Sequence, residues 1–141
     1  MDRKGSAVWQ GGLKDGQGTV STQSGAISGL QYNFRGRFED GPGTNPEELI
    51  GAAHAGCYSM ALSAVLGGAN LTPERINTTA TVTIVPQDGG FTITKVHLDV
   101  TARIPDATEE AFLNAANEAK VNCPVSKLFK AEITLNARLE G

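Results

Sequence analysis

Thr44-Asn-Pro-Glu-Glu-Leu-Ile-Gly-Ala-Ala-His-Ala-Gly-Cys-Tyr-Ser-Met-Ala-Leu62 carries the strongest local signal in the chain, that of a long helix. Asn45 suits the N-cap, Pro46 the first helical position, and Glu48 the capping-box position three residues on. Glu47 and Glu48 also complement the positive end of the helix dipole. The spacing predicts a helix to about Leu66, stopped by Gly67-Gly68. Leu49, Ile50, Ala52, Ala53, Ala55, Tyr58, Met60, Ala61, Leu62 and Val65 make it apolar or small nearly all round. Such a helix is expected at the centre of the fold, buried on most sides, with small residues that let another backbone approach closely.

Outward from this helix the pattern is of strands. Residues 6–10, 18–22 and 31–38 read as three short strands separated by glycine-rich turns. In the third, Tyr32, Phe34 and Phe38 share one parity, whereas Arg35 and Arg37 share the other and face the opposite side of the sheet. After the helix, residues 76–85 alternate with Ile76, Thr78, Ala80, Val82 and Ile84 on one face. Residues 91–102 alternate too, but the apolar parity shifts between Ile93 and Val96, as a bulge or a two-sided strand would produce. Asp88-Gly89-Gly90 is the turn joining these strands. Residues 108–121 form an amphipathic helix with Ala111, Phe112, Ala115, Ala119 and Val121 inward. Cys123-Pro124 interrupts it, residues 125–129 form a short helical piece, and Ile133, Leu135, Ala137 and Leu139 make a closing strand. The order βββ-α-ββ-α-β is an α+β plan without Rossmann or P-loop alternation.

The length of 141 residues suits one domain, 1–141, with a core that needs no disulfide. A formal charge of −3, scattered basic residues and few aromatics argue against a nucleic-acid partner. The N-terminus has no apolar leader region, and no stretch reads as long enough to span a bilayer, so no membrane role is expected. The simplest setting is the cytoplasm, where thiols stay reduced and a disulfide is transient and functional.

There are two cysteines, Cys57 inside the long helix and Cys123 at the Cys-Pro step, 66 residues apart. They suggest a thiol redox couple; two buried, inert thiols in a ligand- or protein-binding module are the competing reading. A thiol reacts as thiolate, and moving its pKa from about 8.5 to about 6 requires roughly 3.4 kcal/mol of preference for the anion. Cys57 lies too far into its helix for the dipole to help, and burial raises its pKa. A fixed cation is needed, and a guanidinium at about 4 Å contributes roughly 4 kcal/mol at an effective dielectric near 20. Arg35 and Arg37 are the candidates; Arg37 is nearer the connection into the helix, and solvent-facing arginines are the plain alternative.

Glu47 is suited to hold such an arginine by a bidentate pair, or simply to complement the dipole. It stands ten residues before Cys57, roughly 15 Å of rise and about 80° of rotation along the helix. Either the arginine does not lie between the two, or Glu47 reaches the thiol of a neighbouring chain, packed antiparallel on the small-residue helix. His54, one turn before Cys57, offers either a packing role or a Cys-His pair for acyl transfer. Phe38, Tyr58, Met60, Leu128 and Phe129 are candidates for an apolar substrate entrance or for ordinary core. The break that Pro124 imposes leaves the Cys123 side chain room to turn toward a partner.

The stretch 44–62, followed by Asn122-Cys-Pro-Val-Ser-Lys127 and flanked by Trp9-Gln-Gly-Gly and Gly18-Thr-Val-Ser-Thr, resembles the OsmC/Ohr family, closest to its OsmC branch. The resemblance covers essentially the whole chain. It implies a cysteine-based peroxidase for organic hydroperoxides, and less well for hydrogen peroxide, in oxidative and osmotic stress defence. Cys57 matches the peroxidatic position, which becomes a sulfenic acid, and Cys123 the resolving position, which condenses with it to a disulfide. Arg37 matches the activating arginine of the OsmC branch and Glu47 its carboxylate partner; in the Ohr branch the arginine comes from an earlier loop. The resemblance also implies an intertwined homodimer, no metal or other cofactor, and re-reduction by a lipoyl-type dithiol.

Overall fold

The computed structural model describes residues 1–128 together with Thr134 and Asn136. The expected closing strand at Ile133, Leu135, Ala137 and Leu139 lies outside the described residues, as does Phe129. The chain divides into two compact units, Met1–Ala52 with Thr81–Val96, and Ala53–Ala80 with His97 onward.

In the first unit, β1 (Gly5–Gln10), β2 (Gln17–Thr22) and β3 (Leu30–Tyr32) form an antiparallel sheet in the order β1-β2-β3. Gly18 stands opposite both Trp9 and Tyr32. A Cβ there would lie 2.6 Å from the Tyr32 ring and 2.8 Å from the Trp9 ring. The bare glycine lets the two rings meet over it, with centroids 5.4 Å apart.

The third strand is shorter than residues 31–38 suggest. It ends at Tyr32, and a helical turn, α1 (Phe34–Phe38), follows. Asn33 explains the switch: its backbone is extended and its side-chain oxygen accepts the Gly36 amide at 2.8 Å, an N-cap that competes with the β ladder. Helical spacing replaces strand parity, so Phe34 and Phe38 meet at 5.1 Å between centroids while Arg35 turns to Glu39. Phe38 also stacks on Phe91, with centroids 4.4 Å apart.

The long helix, α2, runs Pro46–Gly68. Asn45 caps it as expected, its Oδ1 accepting the Glu48 amide at 2.8 Å. Its Nδ2 donates to the Gly36 carbonyl at 3.1 Å and ties the cap to α1. The Glu48 carboxylate accepts from the Thr44 hydroxyl. At the far end the helix passes through Gly67-Gly68, and Asn70, at φ 60°, turns the chain. Asn70 N–H donates to Gly67 and Leu71 N–H to Leu66, the paired bonds of a Schellman end. An asparagine, which tolerates the left-handed region, thus does the work expected of the glycines.

In the second unit α2 packs on α3 (Glu109–Asn122), which is capped by the Thr108 hydroxyl accepting from the Ala111 amide. The core is Tyr58, Leu62 and Leu66 from α2 with Ala115, Ala119 and Cys123. Ile76 of β4 (Arg75–Gln87) and Leu98 and Val100 of β5 (Gly90–Arg103) pack against it. These strands make a two-stranded sheet joined by Asp88-Gly89, both at positive φ, as a tight hairpin turn requires. The parity shift in β5 reflects a two-sided strand: Val96, Leu98 and Val100 are half-buried, whereas Phe91 and Ile93 are exposed on the other parity. Val121, expected inward, is 63% exposed at the end of α3.

Two expectations for α2 need correction. It is buried along one stripe only, Glu47, Gly51, His54, Tyr58, Leu62 and Leu66, at the spacing of a single helical face. Ala53, Gly56, Met60, Ala64 and Gly67 are exposed, Met60 by 78%. And α2, at 23 residues, is by length and composition apolar enough to cross a membrane. Its many alanines raise its mean hydropathy as larger apolar residues would, although Glu47 and His54 lie in its buried stripe.

Candidate active site

Both sulfurs lie in the second unit. Cys123 ends α3 with a non-helical backbone and starts α4 (Pro124–Leu128), its carbonyl accepting the Lys127 amide. Pro124, which has no amide hydrogen to lose, opens the new helix. The Cys123 side chain is 0% exposed. Its sulfur accepts from the Ser126 hydroxyl at 3.5 Å, and Ser126 Oγ lies 2.8 Å from His54 Nε2. Burial works against ionisation of Cys123, but hydrogen bonds from the Ser126 hydroxyl and amide, the Cys57 thiol and the Val125 amide outweigh it, holding the thiol below its ordinary value.

Cys57 has the opposite balance. Burial pushes its thiol up, the Val125 amide opposes this, and the hydrogen bond to Cys123 and that residue's charge push it up further. The surroundings thus favour the anion on Cys123 over that on Cys57. Tyr58 is also pushed up, by burial and then by the Cys123 charge, and its hydroxyl donates to the Ala116 carbonyl at 3.1 Å. Tyr58 is therefore core and not part of a substrate entrance.

The first unit holds the cation. Arg37 Nε lies 3.1 and 3.2 Å from the two Glu47 oxygens, and Nη2 lies 2.8 Å from Oε1. Glu47, almost wholly buried, fixes one edge of the guanidinium, while the Arg37 side chain remains 36% exposed. The guanidinium carbon sits 5.0 Å from the Phe38 ring centroid. Beside it opens a cleft of about 260 Å³, walled mainly by Trp9, Leu13, Tyr32, Phe34 and Phe38. Arg35 is separate, on the surface with Glu39 at 3.6 Å.

The sequence thus anticipates the Arg37–Glu47 contact and Phe38 as an apolar wall. Met60 and Leu128 are exposed side chains. His54 is buried and committed to Ser126. Ser126 was missed; the signal was a hydroxyl three residues after Cys123, where a cap-like side chain reaches back. Among the described residues no group of three or more His, Cys, Asp or Glu is placed to hold a metal ion.

Two free cysteines packed into one core, with a carboxylate-held guanidinium elsewhere in the chain, are the chemically distinctive features of the described residues. The family described as OsmC-like protein matches residues 39–138. The chain is 51% identical over 141 residues to Peroxiredoxin OsmC of Escherichia coli (strain K12), covering 100% of this chain and 99% of that one. The fold is similar to the organic hydroperoxide resistance protein OhrB of Bacillus subtilis, with TM-score 0.66, 23% identity and 90% of each chain covered. It is also similar to an organic hydroperoxide resistance protein OsmC from Legionella pneumophila, with TM-score 0.65, 25% identity, and 90% of this chain and 89% of that one covered. The chain belongs to the OsmC-like family.

Proposed function

We propose that this chain, a thiol-dependent peroxidase, reduces organic hydroperoxides to alcohols through a Cys57 sulfenic acid and a Cys57–Cys123 disulfide. The observation that supports the reading is that Cys57 packs against the buried cluster holding Cys123, each thiol biasing the other's ionisation within one unit. The Cys57 thiolate attacks the peroxide, the O–O bond breaks, and the alkoxide takes a proton to leave as alcohol. Cys123 then attacks the Cys57 sulfur, the S–O bond breaks, and oxygen departs as water. A dithiol reductant, of lipoyl type by the family resemblance, returns both cysteines to thiols.

Cys57 cannot be activated by its own surroundings, which push its pKa up. Arg37 is the cation proposed to lower it, with Glu47 as its positioning residue. The apolar cleft beside Arg37 supports an organic substrate, since each buried methylene gains about 0.8 kcal/mol. The exposed stripe Ala53, Gly56, Met60, Ala64 and Gly67 supports a homodimer in which α2 packs on its counterpart, completing the single OsmC-like domain. That face would otherwise leave apolar surface in water. This reading places the protein in the cytoplasm, with α2 as a core helix and without membrane or nucleic-acid partners.

The test mixes reduced protein with cumene hydroperoxide. One equivalent is consumed and both thiols disappear into an intramolecular disulfide. Cys57→Ser removes consumption, and Cys123→Ser consumes one equivalent and stops at sulfenic acid, trapped by a carbon nucleophile. Intact peroxide with both thiols still titratable refutes the reading.

A further inference from the structure

We propose that Ser126 and His54 form a proton relay for Cys123, carrying its proton away as the disulfide closes. The inference rests on the peroxidase reading above for its second half, the closure, and on geometry alone for its first, the control of the Cys123 proton. Cys123 is 0% and His54 4% exposed, so the proton has no direct way to solvent and needs a route through the protein. The contacts provide one: Cys123 Sγ to Ser126 Oγ at 3.5 Å, then Ser126 Oγ to His54 Nε2 at 2.8 Å.

A serine hydroxyl has one hydrogen, which fixes the sense of the chain. When Cys123 is a thiolate, Ser126 donates to sulfur and accepts from His54 Nε2–H. When Cys123 holds its proton, the chain reverses, with sulfur donating to Ser126 and Ser126 to the bare Nε2. Deprotonation of Cys123 is thus a flip of two hydrogen bonds without movement of heavy atoms. The relay joins α4 to α2, since Ser126 stands three residues after Cys123 and His54 three before Cys57.

In the closing step Cys57–SOH and Cys123–SH become a disulfide and water. The S–S bond forms, the S–O bond breaks, and its electron pair leaves with oxygen. The Cys123 proton passes through Ser126 to His54 and ends on the departing hydroxide. The sulfenic acid is the oxidant, so no other is required. Burial lowers the His54 pKa, which favours the neutral ring and eases release of a proton it has taken. The titratable groups brought to Cys123 are Cys57 and Tyr58 of α2, and His54 through Ser126. Ser126 and His54 are positioning and relay residues; neither attacks the peroxide.

The first arm uses no peroxide. In the Cys57→Ser protein, Cys123 is the sole thiol, and its ionisation is followed by thiolate ultraviolet absorbance. Adding Ser126→Ala is expected to raise the midpoint by about one pH unit, the scale of a lost hydrogen bond to the anion, and Ser126→Thr to restore it. A midpoint unmoved by Ser126→Ala in a protein of unchanged circular dichroism overturns the relay. The second arm compares disulfide closure with sulfenic-acid formation in a single turnover of the otherwise native chain. Ser126→Ala and His54→Gln are expected to lower the ratio of the second rate to the first by roughly ten- to a hundredfold, at the low end of general acid–base effects. Glutamine keeps a donor for Ser126 but cannot take a proton, so an unchanged ratio in His54→Gln also overturns the relay. Should native protein not consume the hydroperoxide, the peroxidase reading falls, and the first arm still decides the relay.

Discussion

The two compact units hold different chemical groups. The first, Met1–Ala52 with Thr81–Val96, has the guanidinium, its buried carboxylate and an aromatic cleft, but no cysteine. The second has both sulfurs, with local groups that favour the anion on Cys123 and disfavour it on Cys57. The difference teaches that thiol contact and thiol activation are separate tasks. Contact is built into the second unit by packing α2 on α3 and α4. Under the proposed function, activation of Cys57 needs a charge, because the contacts around it push its pKa up.

The comparison breaks most decisively at Arg37. If its guanidinium supplies the missing charge, worth roughly 4 kcal/mol at about 4 Å, Arg37→Ala lowers the second-order rate with cumene hydroperoxide by about 10² to 10³-fold. Disulfide closure from preformed sulfenic acid should hardly change. A rate within about twofold of native separates the two units chemically and ends the role given to Arg37.

Next is Leu62→Ala, which empties the centre of the second unit. The side chain is fully buried, so the loss should be about 2–5 kcal/mol, read by urea unfolding. Hydrogen exchange should accelerate through α3 more than through β1 and β2. Equal acceleration everywhere shows instead that the units unfold as one.

A subtler probe is Phe38→Ala in the cleft wall. Native enzyme should favour longer alkyl hydroperoxides, each buried methylene adding up to about fourfold in kcat/KM. The variant should flatten that series while keeping most activity toward tert-butyl hydroperoxide. A series with native slope would place the alkyl group elsewhere.

The smallest expected effect is on stability against pH. His54 has its pKa lowered by burial from 6.5, so the folded state binds fewer protons than the unfolded one in that window. Its contribution is complete above the unfolded value and is lost as pH falls through 6.5 toward the depressed folded value. The melting temperature should therefore drop on acidification below neutrality, and less steeply in His54→Gln. Parallel curves for the two proteins would refute this.

What was legible beforehand followed the range of the interactions. The start of α2 is local, set by Asn45, Pro46 and Glu48, and was readable directly. α1 was not, because the aromatic alternation of Tyr32, Phe34 and Phe38 mimics a strand and one Asn33 hydrogen bond overrides it. The stripe Tyr58, Leu62 and Leu66 was hidden by alanines on every side of α2, which made all faces look alike. Arg37 and Glu47 were paired through family resemblance as much as through spacing. The contact of His54 with Ser126 joins residues 72 positions apart, and no local pattern announces it.

The lone tryptophan, Trp9, stands in the cleft wall against Tyr32, its indole N–H donating to the Gly11 carbonyl. Under the proposed function its emission is expected to change as a hydroperoxide enters the cleft, which makes it an optical gauge of ligand arrival. Fluorescence titration of a chain in which both cysteines are serine would therefore report cleft occupancy while no turnover takes place.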